Sequence, residues 1–515
     1  MNKRRRNILP GLALTALSLG GCMVGPKYQK PVATVQPPPS VYKESPTQFP
    51  DEGGAWKVAQ PQDAMLHGKW WEIYNDPELN ALEEQVNVNN QNIKQAFENF
   101  MAARTTVAQA RSQLFPTVGT NPSYTRSTAS ANTRGSTANT GSGGTGTTTT
   151  SQSQTQLFAL PVSASWEPDL WGKVRNTINE ARYNSQLSAA DLENERLTEQ
   201  ASLASFYFEL RGQDALQKIF DETIAADQKS VDLTRARYET GVDDLISLVQ
   251  AQNALESARS QDTNLGIARA EFEHAIATLI GTPASSFSIP AKPLNAVPPA
   301  IPIGVPSQLL ERRPDIAASE RTMAAANAQI GIAVAAYYPN LTISGQVGFE
   351  SSALKNLLAW PSRFWSVGPS LSETIFDAGL RRATVQQFTA VYNADVAGYR
   401  ETVLTAFQQV EDNLAAVRIL SKQIQEQQQA EQSAERYLEL ANARYYTGVD
   451  TYLNVLVAQT TLLSDQQELA TLRTQAMTAS VQLIEALGGG WDVSQLPSPA
   501  QVSEKIKKSD IQSQQ

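Results

Sequence analysis

The chain has 515 residues and a formal net charge of −9, so no basic field is present to draw nucleic-acid phosphates. One cysteine excludes an intrachain disulfide, and two histidines, His67 and His274, leave almost no material for a zinc site or a Ser-His-Asp triad. No Gly-rich phosphate loop runs into a helix carrying a lysine; the composition points away from an enzyme and implies no cofactor, no metal and no nucleic-acid partner.

The N-terminal stretch MNKRRRNILPGLALTALSLGGC has the three parts of an export signal. Lys3, Arg4, Arg5 and Arg6 form a charged start, and Ile8 to Leu19 is an apolar run too short to remain as a membrane span. Leu19-Gly20-Gly21-Cys22 matches the bacterial lipobox, in which the cysteine is acylated and becomes the new N-terminus. The alternative is an ordinary signal with a chance cysteine, against which stands the fact that the only cysteine of the chain lies here. Residues 1–21 are thus read as a lipoprotein signal, and a covalent lipid (palmitate among its acyl chains) on Cys22 as a membrane tether of about 0.8 kcal/mol per buried CH₂. Met23 rather than Asp follows the cysteine, which favours the outer membrane over retention at the inner one. Loss of residues 1–21 removes four positive charges and leaves −13. Residues 22–61 are Pro-rich and extended, a strap between lipid and folded body.

The body is a tandem repeat. ARYETGVDDL begins at Ala236 and ARYYTGVDTYL at Ala443, 207 positions on; at the same offset Ala251-Gln252 matches Ala458-Gln459, Leu255 matches Leu462 and Gly281 matches Gly488. The first repeat is placed at 62–287 and the second at 307–490, with a Pro-rich linker at 288–306 and a polar tail at 491–515. Each reads as helix, two strands, long helix, turn and helix.

Strands are expected at about 116–126 and 156–167 in the first repeat and at about 340–350 and 365–376 in the second. Leu341, Ile343, Val347 and Phe349 share one face, and Thr342, Ser344, Gln346 and Glu350 the other. Phe158, Leu160, Val162, Ala164 and Trp166 likewise share a face. Runs of roughly ten residues with one apolar face suit transmembrane strands, although a soluble antiparallel sheet with a buried face has the same period. Two features favour the membrane. Trp166, Trp171, Trp360, Phe364 and Trp365 stand near strand ends like aromatic girdles. The Ser/Thr/Gly run at 127–155 cannot build a core and reads as an extracellular loop. Pro122 interrupts the first strand. Four strands cannot close a membrane barrel, whose smallest form has about eight; three chains supply 12.

Long helices are expected over 176–240 and 382–447, each about 100 Å at 1.5 Å per residue. Phe407, Val410, Leu414, Val417, Ser421 and Ile424 step by three and four, which predicts left-handed coiled-coil packing. Shorter helices are expected over 244–280, 315–338 and 451–487, the first two together nearly matching a long one. The turns at 241–243 and 448–450 are helix hairpins: Gly241 and Gly448 suit the left-handed residue after a helix, Arg237 and Arg444 sit in the last turn, and Asp243 and Asp450 are placed to cap the next helix. A purely structural turn does not need Tyr238 and Tyr445, which suggests a docking surface at the tips.

CMVGPKYQKP, the block ERRPDIAASERTMAAANAQIGIAVAAYYPNLTISGQVG and the two RY-x-TGVD turns resemble the outer membrane factor family, in particular the TolC/OprM-type lipoproteins of the NodT group. The resemblance covers nearly the whole mature chain. It implies a mainly α chain with a transmembrane β part: a long antiparallel α-helical barrel in the periplasm and a 12-stranded β-barrel in the outer membrane of a Gram-negative bacterium, four strands from each chain of a homotrimer. It implies a passive exit duct for small molecules in a tripartite efflux system, with a periplasmic membrane-fusion adaptor and an inner-membrane transporter (of the RND type) as partners. Arg237, Tyr238, Gly241, Arg444, Tyr445 and Gly448 are the tip residues that would meet the adaptor. The family closes its pore just past the second turn, often with an aspartate, but NVLVAQ here has Val457 at that place and the first repeat has Gln250. Asp243, Asp244, Asp450, Leu456 and Val457 are the gate candidates, and an acidic or an apolar ring both remain open, as does simple helix capping by the aspartates. A lipid-anchored trimeric coiled-coil adhesin or spacer is the alternative; it leaves the paired alternating strands unexplained.

Overall fold

The structure is a computed structural model that describes residues 23–34, 41–44, 68–128, 154–301 and 308–504. Cys22 and the signal, most of the strap, residues 129–153 of the loop, residues 302–307 of the linker and the tail from 505 lie outside the described residues.

Among the described residues, seven helices of 13 residues or more and one sheet carry the fold. Helix α1 spans Pro77–Asn89 and α2 Gln91–Ser112. Asp76 caps α1 by accepting from Glu78 N and Leu79 N, with Pro77 at the first helical position where no N–H is needed. Asn90 separates the two helices. Its Oδ1 accepts from Asn92 N and Ile93 N, and its Nδ2 donates to Glu199 and to Leu279 O, so one buried side chain caps α2 and ties three segments. The long helices are α3, Lys173–Glu239, and α6, Leu380–Tyr446, each of 67 residues. Shorter ones are α4, Leu245–Leu279, α5, Pro314–Ala335, and α7, Tyr452–Ala486. Helix α5 ends three residues before the expected 338, because Ala336, Tyr337 and Tyr338 donate to carbonyls only three residues back and tighten the last turn.

The helices and strands fall into two compact units, and each unit takes pieces of both sequence repeats. Of the described residues, one holds 23–29, 106–128, 154–181 and 324–392; the other holds 30–34, 41–44, 68–105, 182–301, 308–323 and 393–504.

The first unit contains the sheet. Its strands are β1 (Thr117–Thr120), β2 (Ser123–Thr128), β3 (Gln154–Trp166), β4 (Asn340–Ser351) and β5 (Arg363–Ser372), all paired antiparallel. The single strand expected at 116–126 is split at Asn121-Pro122, where proline supplies no N–H to the ladder. The split causes no slip: Thr120 opposes Val162 and Ser123 opposes Ala159, one continuous register on β3. β1 and β2 therefore fill one strand position, and the sheet is four positions wide. β5 also ends earlier than the expected 376. Asp377 accepts from Gly379 N and Arg381 N, and Arg381 donates to Thr374 O, which folds 373–379 into the cap of α6.

Residues 23–26 are bound to this unit through their backbone. Val24 N donates to Trp171 O, Asn176 Nδ2 to Val24 O and Asn327 Nδ2 to Pro26 O. Gly25 must be glycine here: its φ is +110°, and a Cβ would stand 2.6 Å from Gly331 Cα.

The second unit holds the main core, in which Trp70, Trp71, Leu203, Tyr207, Phe208, Ile276, Val410, Leu414, Val481 and Ile484 are buried. Val410, Leu414 and Val417 of the expected heptad seam are among the buried residues. The strap residue Tyr42 inserts into the same core, and Glu411 clasps its neighbours by accepting from Lys43 N and Glu44 N at 2.8 and 3.0 Å. A buried ionic cluster holds the inter-repeat linker. Arg211 bonds Asp214, Glu78 and Pro290 O; Arg269 bonds Asp214 and Ile289 O; Asp214 also accepts from Lys292 N. Removing one member of such a cluster leaves the others buried and unpaired, which costs far more than the pairing contributes. Asp214→Ala is expected to destabilise this unit by about 3 kcal/mol and to expose the linker at 288–294 to early cleavage, read by thermal unfolding together with limited proteolysis.

Candidate functional site

The two turns are built alike. In the first, Gly241 N donates to Tyr238 O and Val242 N to Arg237 O, with Gly241 at φ +74°. In the second, Gly448 N donates to Tyr445 O and Val449 N to Arg444 O, with Gly448 at φ +72°. This is the Schellman ending, in which a left-handed residue turns the last carbonyls back onto two amides. Arg237 Nε reaches Asp243 Oδ2 at 2.9 Å, and Arg444 Nε reaches Asp450 Oδ2 at 3.1 Å, closing both turns with the same ion pair.

The capping expectation is met by a neighbour in the first turn: Asp244, not Asp243, caps α4 by accepting from Ser247 N. That hydrogen bond holds the Asp244 carboxyl below its ordinary range. Asp450 accepts from Arg444, Thr451 N and Asn454, and the Arg444 hydrogen bond chiefly holds its carboxyl low.

The tyrosines break the repeat. Tyr238 is 41% exposed, whereas Tyr445 is 2% exposed. Tyr445 donates its hydroxyl to Asp243, lies under the Arg237 guanidinium at 4.7 Å and packs edge-on to Tyr452 at 5.6 Å. Tyr445 is therefore not a presented docking side chain. It is the wedge that fastens the second turn to the first, and burial followed by the Asp243 carboxylate pushes its phenol well up. Beneath it Val231, Leu248, Ala251, Leu255, Ala441, Tyr452, Val455 and Ala458 form a small core, with Leu456 packed against it. Leu456 thus has a structural duty, and Val457, 48% exposed, is the apolar gate candidate that faces outward.

Three residues of this tip escaped the sequence reading. Tyr452 and Asn454 lie just past the second turn; Tyr452 stands where the first repeat has Leu245, a difference visible at the 207 offset. Asp227 stands where the second repeat has Ala434. It is buried one helical turn before Val231, and burial pushes its carboxyl up to about 6. The titratable group that feels it is Tyr452, whose phenol is raised to about 12, mainly by burial. Among the described residues no group of three or more His, Cys, Asp or Glu side chains is placed to hold a metal.

The second functional surface is the sheet. The register sets Leu160 opposite Phe349, Val162 opposite Val347, Trp166 opposite Ile343, Val347 opposite Trp365 and Leu341 opposite Leu371. One face is thus largely apolar, joined by Val118 and by Tyr124 tilted against Phe158 at 4.6 Å, with Thr120 opposite Val162 and Arg363 opposite Phe349 on the same side. The other face carries Ser163, Ser165, Ser344, Gln346 and Ser370. Much of the apolar face is exposed, Val347 at 56%, Val367 at 69% and Trp365 at 75%. Its ends carry aromatic residues, Trp166 with Trp171 at one and Trp360 with Trp365 at the other. No helix among the described residues is long and apolar enough to cross a membrane.

An exposed apolar face on an open sheet, with paired helix hairpins at repeated turns, defines an outer-membrane channel subunit. Residues 82–282 and 305–489 match the family of outer membrane efflux proteins, and the chain belongs to that family. It is 34% identical over 490 residues to the toluene efflux pump outer membrane protein TtgC of Pseudomonas putida, covering 94% of this chain and 96% of that one. It is 31% identical over 491 residues to the outer membrane protein OprJ of Pseudomonas aeruginosa, covering 93% and 95%. Among solved structures, the outer-membrane channel OprN superposes with a TM-score of 0.79 at 26% identity over 91% of this chain and 100% of that one. VceC of Vibrio cholerae gives 0.73 at 27% identity over 82% and 99%. The protein resides in the outer membrane.

Tyr445→Phe removes a hydrogen bond to a carboxylate, worth about 1.5–3 kcal/mol. Faster amide exchange across 237–245 and 444–452, with the main core unchanged, is the expected readout. A raised folded pKa means that Asp227 favours the folded tip while protonated. That contribution is complete below its ordinary value of 3.8 and is lost as pH rises through about 6. Asp227→Asn is accordingly expected to raise the melting temperature at pH 7.5 and to leave it nearly unchanged at pH 4, measured by calorimetry.

Proposed function

We propose that this chain is the passive exit duct of a tripartite efflux pump, a homotrimer that carries small toxic molecules from a periplasmic adaptor and an inner-membrane transporter to the exterior. The observation that carries the reading is the sheet: four strand positions, one face largely apolar and exposed, both edges without a partner strand among the described residues. Three copies would make a barrel of 12 strands, above the roughly eight-strand minimum for a membrane barrel. The chain works without cofactor or catalysis, and energy comes from the transporter. The relatives' pumps are named for toluene and for antibiotics, which supports organic solvents and drugs as the cargoes.

Six turns per trimer, two from each chain, offer a ring of similar tips to adaptor hairpins. Arg237, Tyr238, Gly241, Arg444 and Gly448 form the docking surface. Asp450 and Val457 narrow the closed tip, and the bond of Tyr445 to Asp243 holds it shut. The lipid on Cys22 fits the same picture, since residues 23–26 are bonded to the unit that holds the sheet.

Purified protein in a planar bilayer is expected to give small, cation-preferring channels from a trimer of defined mass. A trimer that never conducts, even with Asp450 and Val457 replaced, overturns the duct. Val367→Lys places a charge on the apolar face, opposite Gly345 and midway between the aromatic ends, at a cost of about 2–4 kcal/mol per chain near mid-membrane and should abolish outer-membrane assembly. Ser344→Lys on the opposite face should assemble normally. Equal yields from the two variants would mean that the apolar face does not meet lipid.

A further inference from the structure

A cavity of about 260 Å³ opens in the unit that holds the sheet, where the chain passes from β3 to α3, from α5 to β4 and out of β5. One wall is aromatic. Trp171 and Tyr338 stack at 4.8 Å with a 22° tilt, and the indole is fixed by donating to Pro339 O at 2.8 Å. The rim is zwitterionic. Lys173 lies 3.4 Å from Glu167 and is half exposed, and Glu373 is exposed with no ion-pair partner among the described residues. Leu341 continues the lining onto the apolar sheet face, where it opposes Leu371.

Two observations set this cavity at a membrane surface. The apolar face of the sheet ends at its level, with Trp166 the last residue of β3. The chain just after Cys22 is bonded to its wall, Val24 N to Trp171 O at 3.0 Å, and Met23 packs so closely on Gly172 that a Cβ there would meet Met23 Cα at 2.8 Å.

We propose that this cavity binds the headgroup of a phospholipid with a primary amine, a phosphatidylethanolamine of the leaflet that faces the periplasm. The assignment rests on the reading of the sheet as membrane-spanning. Lys173 takes the phosphate. Glu373 and Glu167 take the ammonium, and the exposed face of Tyr338, backed by the stacked Trp171, adds cation–π attraction. The acyl chains leave along Leu341 and the apolar face beyond it. A primary amine is selected because it donates hydrogen bonds to both carboxylates, which a quaternary amine does not, and phosphatidylglycerol brings no cation at all.

The test is native mass spectrometry of the full-length trimer after exchange into phosphatidylethanolamine, phosphatidylglycerol or phosphatidylcholine. The expected result is about tenfold stronger retention of the ethanolamine lipid. Glu373→Gln, an exposed substitution that spares the fold, should abolish the preference while leaving trimer mass and conductance unchanged. Trp171→Leu should weaken retention of the ethanolamine lipid. Equal retention of the three lipids, or a preference that survives Glu373→Gln, overturns the site. So does a preference that appears only in Cys22→Ser, since the chain's own lipid would then be what fills the cavity. A conducting trimer without the preference overturns this site alone, whereas failure of the unmodified chain to insert overturns the duct reading with it.

Discussion

Backbone amides at the two edges of the sheet, on β1/β2 and on β5, meet no partner strand among the described residues. In hydrocarbon each such group costs several kcal/mol, because no water is present to take the lost hydrogen bond. An outer-membrane protein built on this sheet is incomplete as a single copy, and the trimer proposed for it answers that constraint. The apolar face, the aromatic ends and the split but unslipped first strand all suit the closed ladder that the proposed trimer would form. Pro122 sits at an edge position, where a missing N–H removes the fewest bonds.

The helical unit answers a different demand. A long helix hairpin has little core of its own, so contacts that fix where helices cross carry disproportionate weight. Gly212 is one of these, since a side chain there would run into Thr474 of α7. The Arg211–Asp214–Arg269 cluster is another. It binds the linker that joins the repeats by its backbone carbonyls and amides, which depends little on the linker's own side chains.

The tips show how a duplicated element becomes asymmetric. Both turns keep the glycine, the arginine and the aspartate, because both must end a helix and start another within a few residues. Only one tyrosine is turned inward, and it bonds to the aspartate of the other turn. A polar bond between two hairpins can break without unfolding either, a property that suits the closure proposed for this tip.

Much was legible from residue order. The export signal, the repeat, the long proline-free helices, the alternation of β3 and β4 and the glycine turns are local patterns, set by backbone sterics and by a period of two or 3.6 residues. The tertiary structure decided what depends on distant neighbours. Tyr238 and Tyr445 are equivalent in sequence, and only packing between helices makes one exposed and the other a wedge against a residue 202 positions away. Asp243 pairs where capping was expected, β5 ends early because Asp377 and Arg381 draw its last residues into a helix cap, and Asp227 is buried where nothing beside it in sequence demands it. The physical reason is that periodicity tells which face of an element is apolar, whereas burial, ion pairing and cavities arise only when faces from separate elements meet.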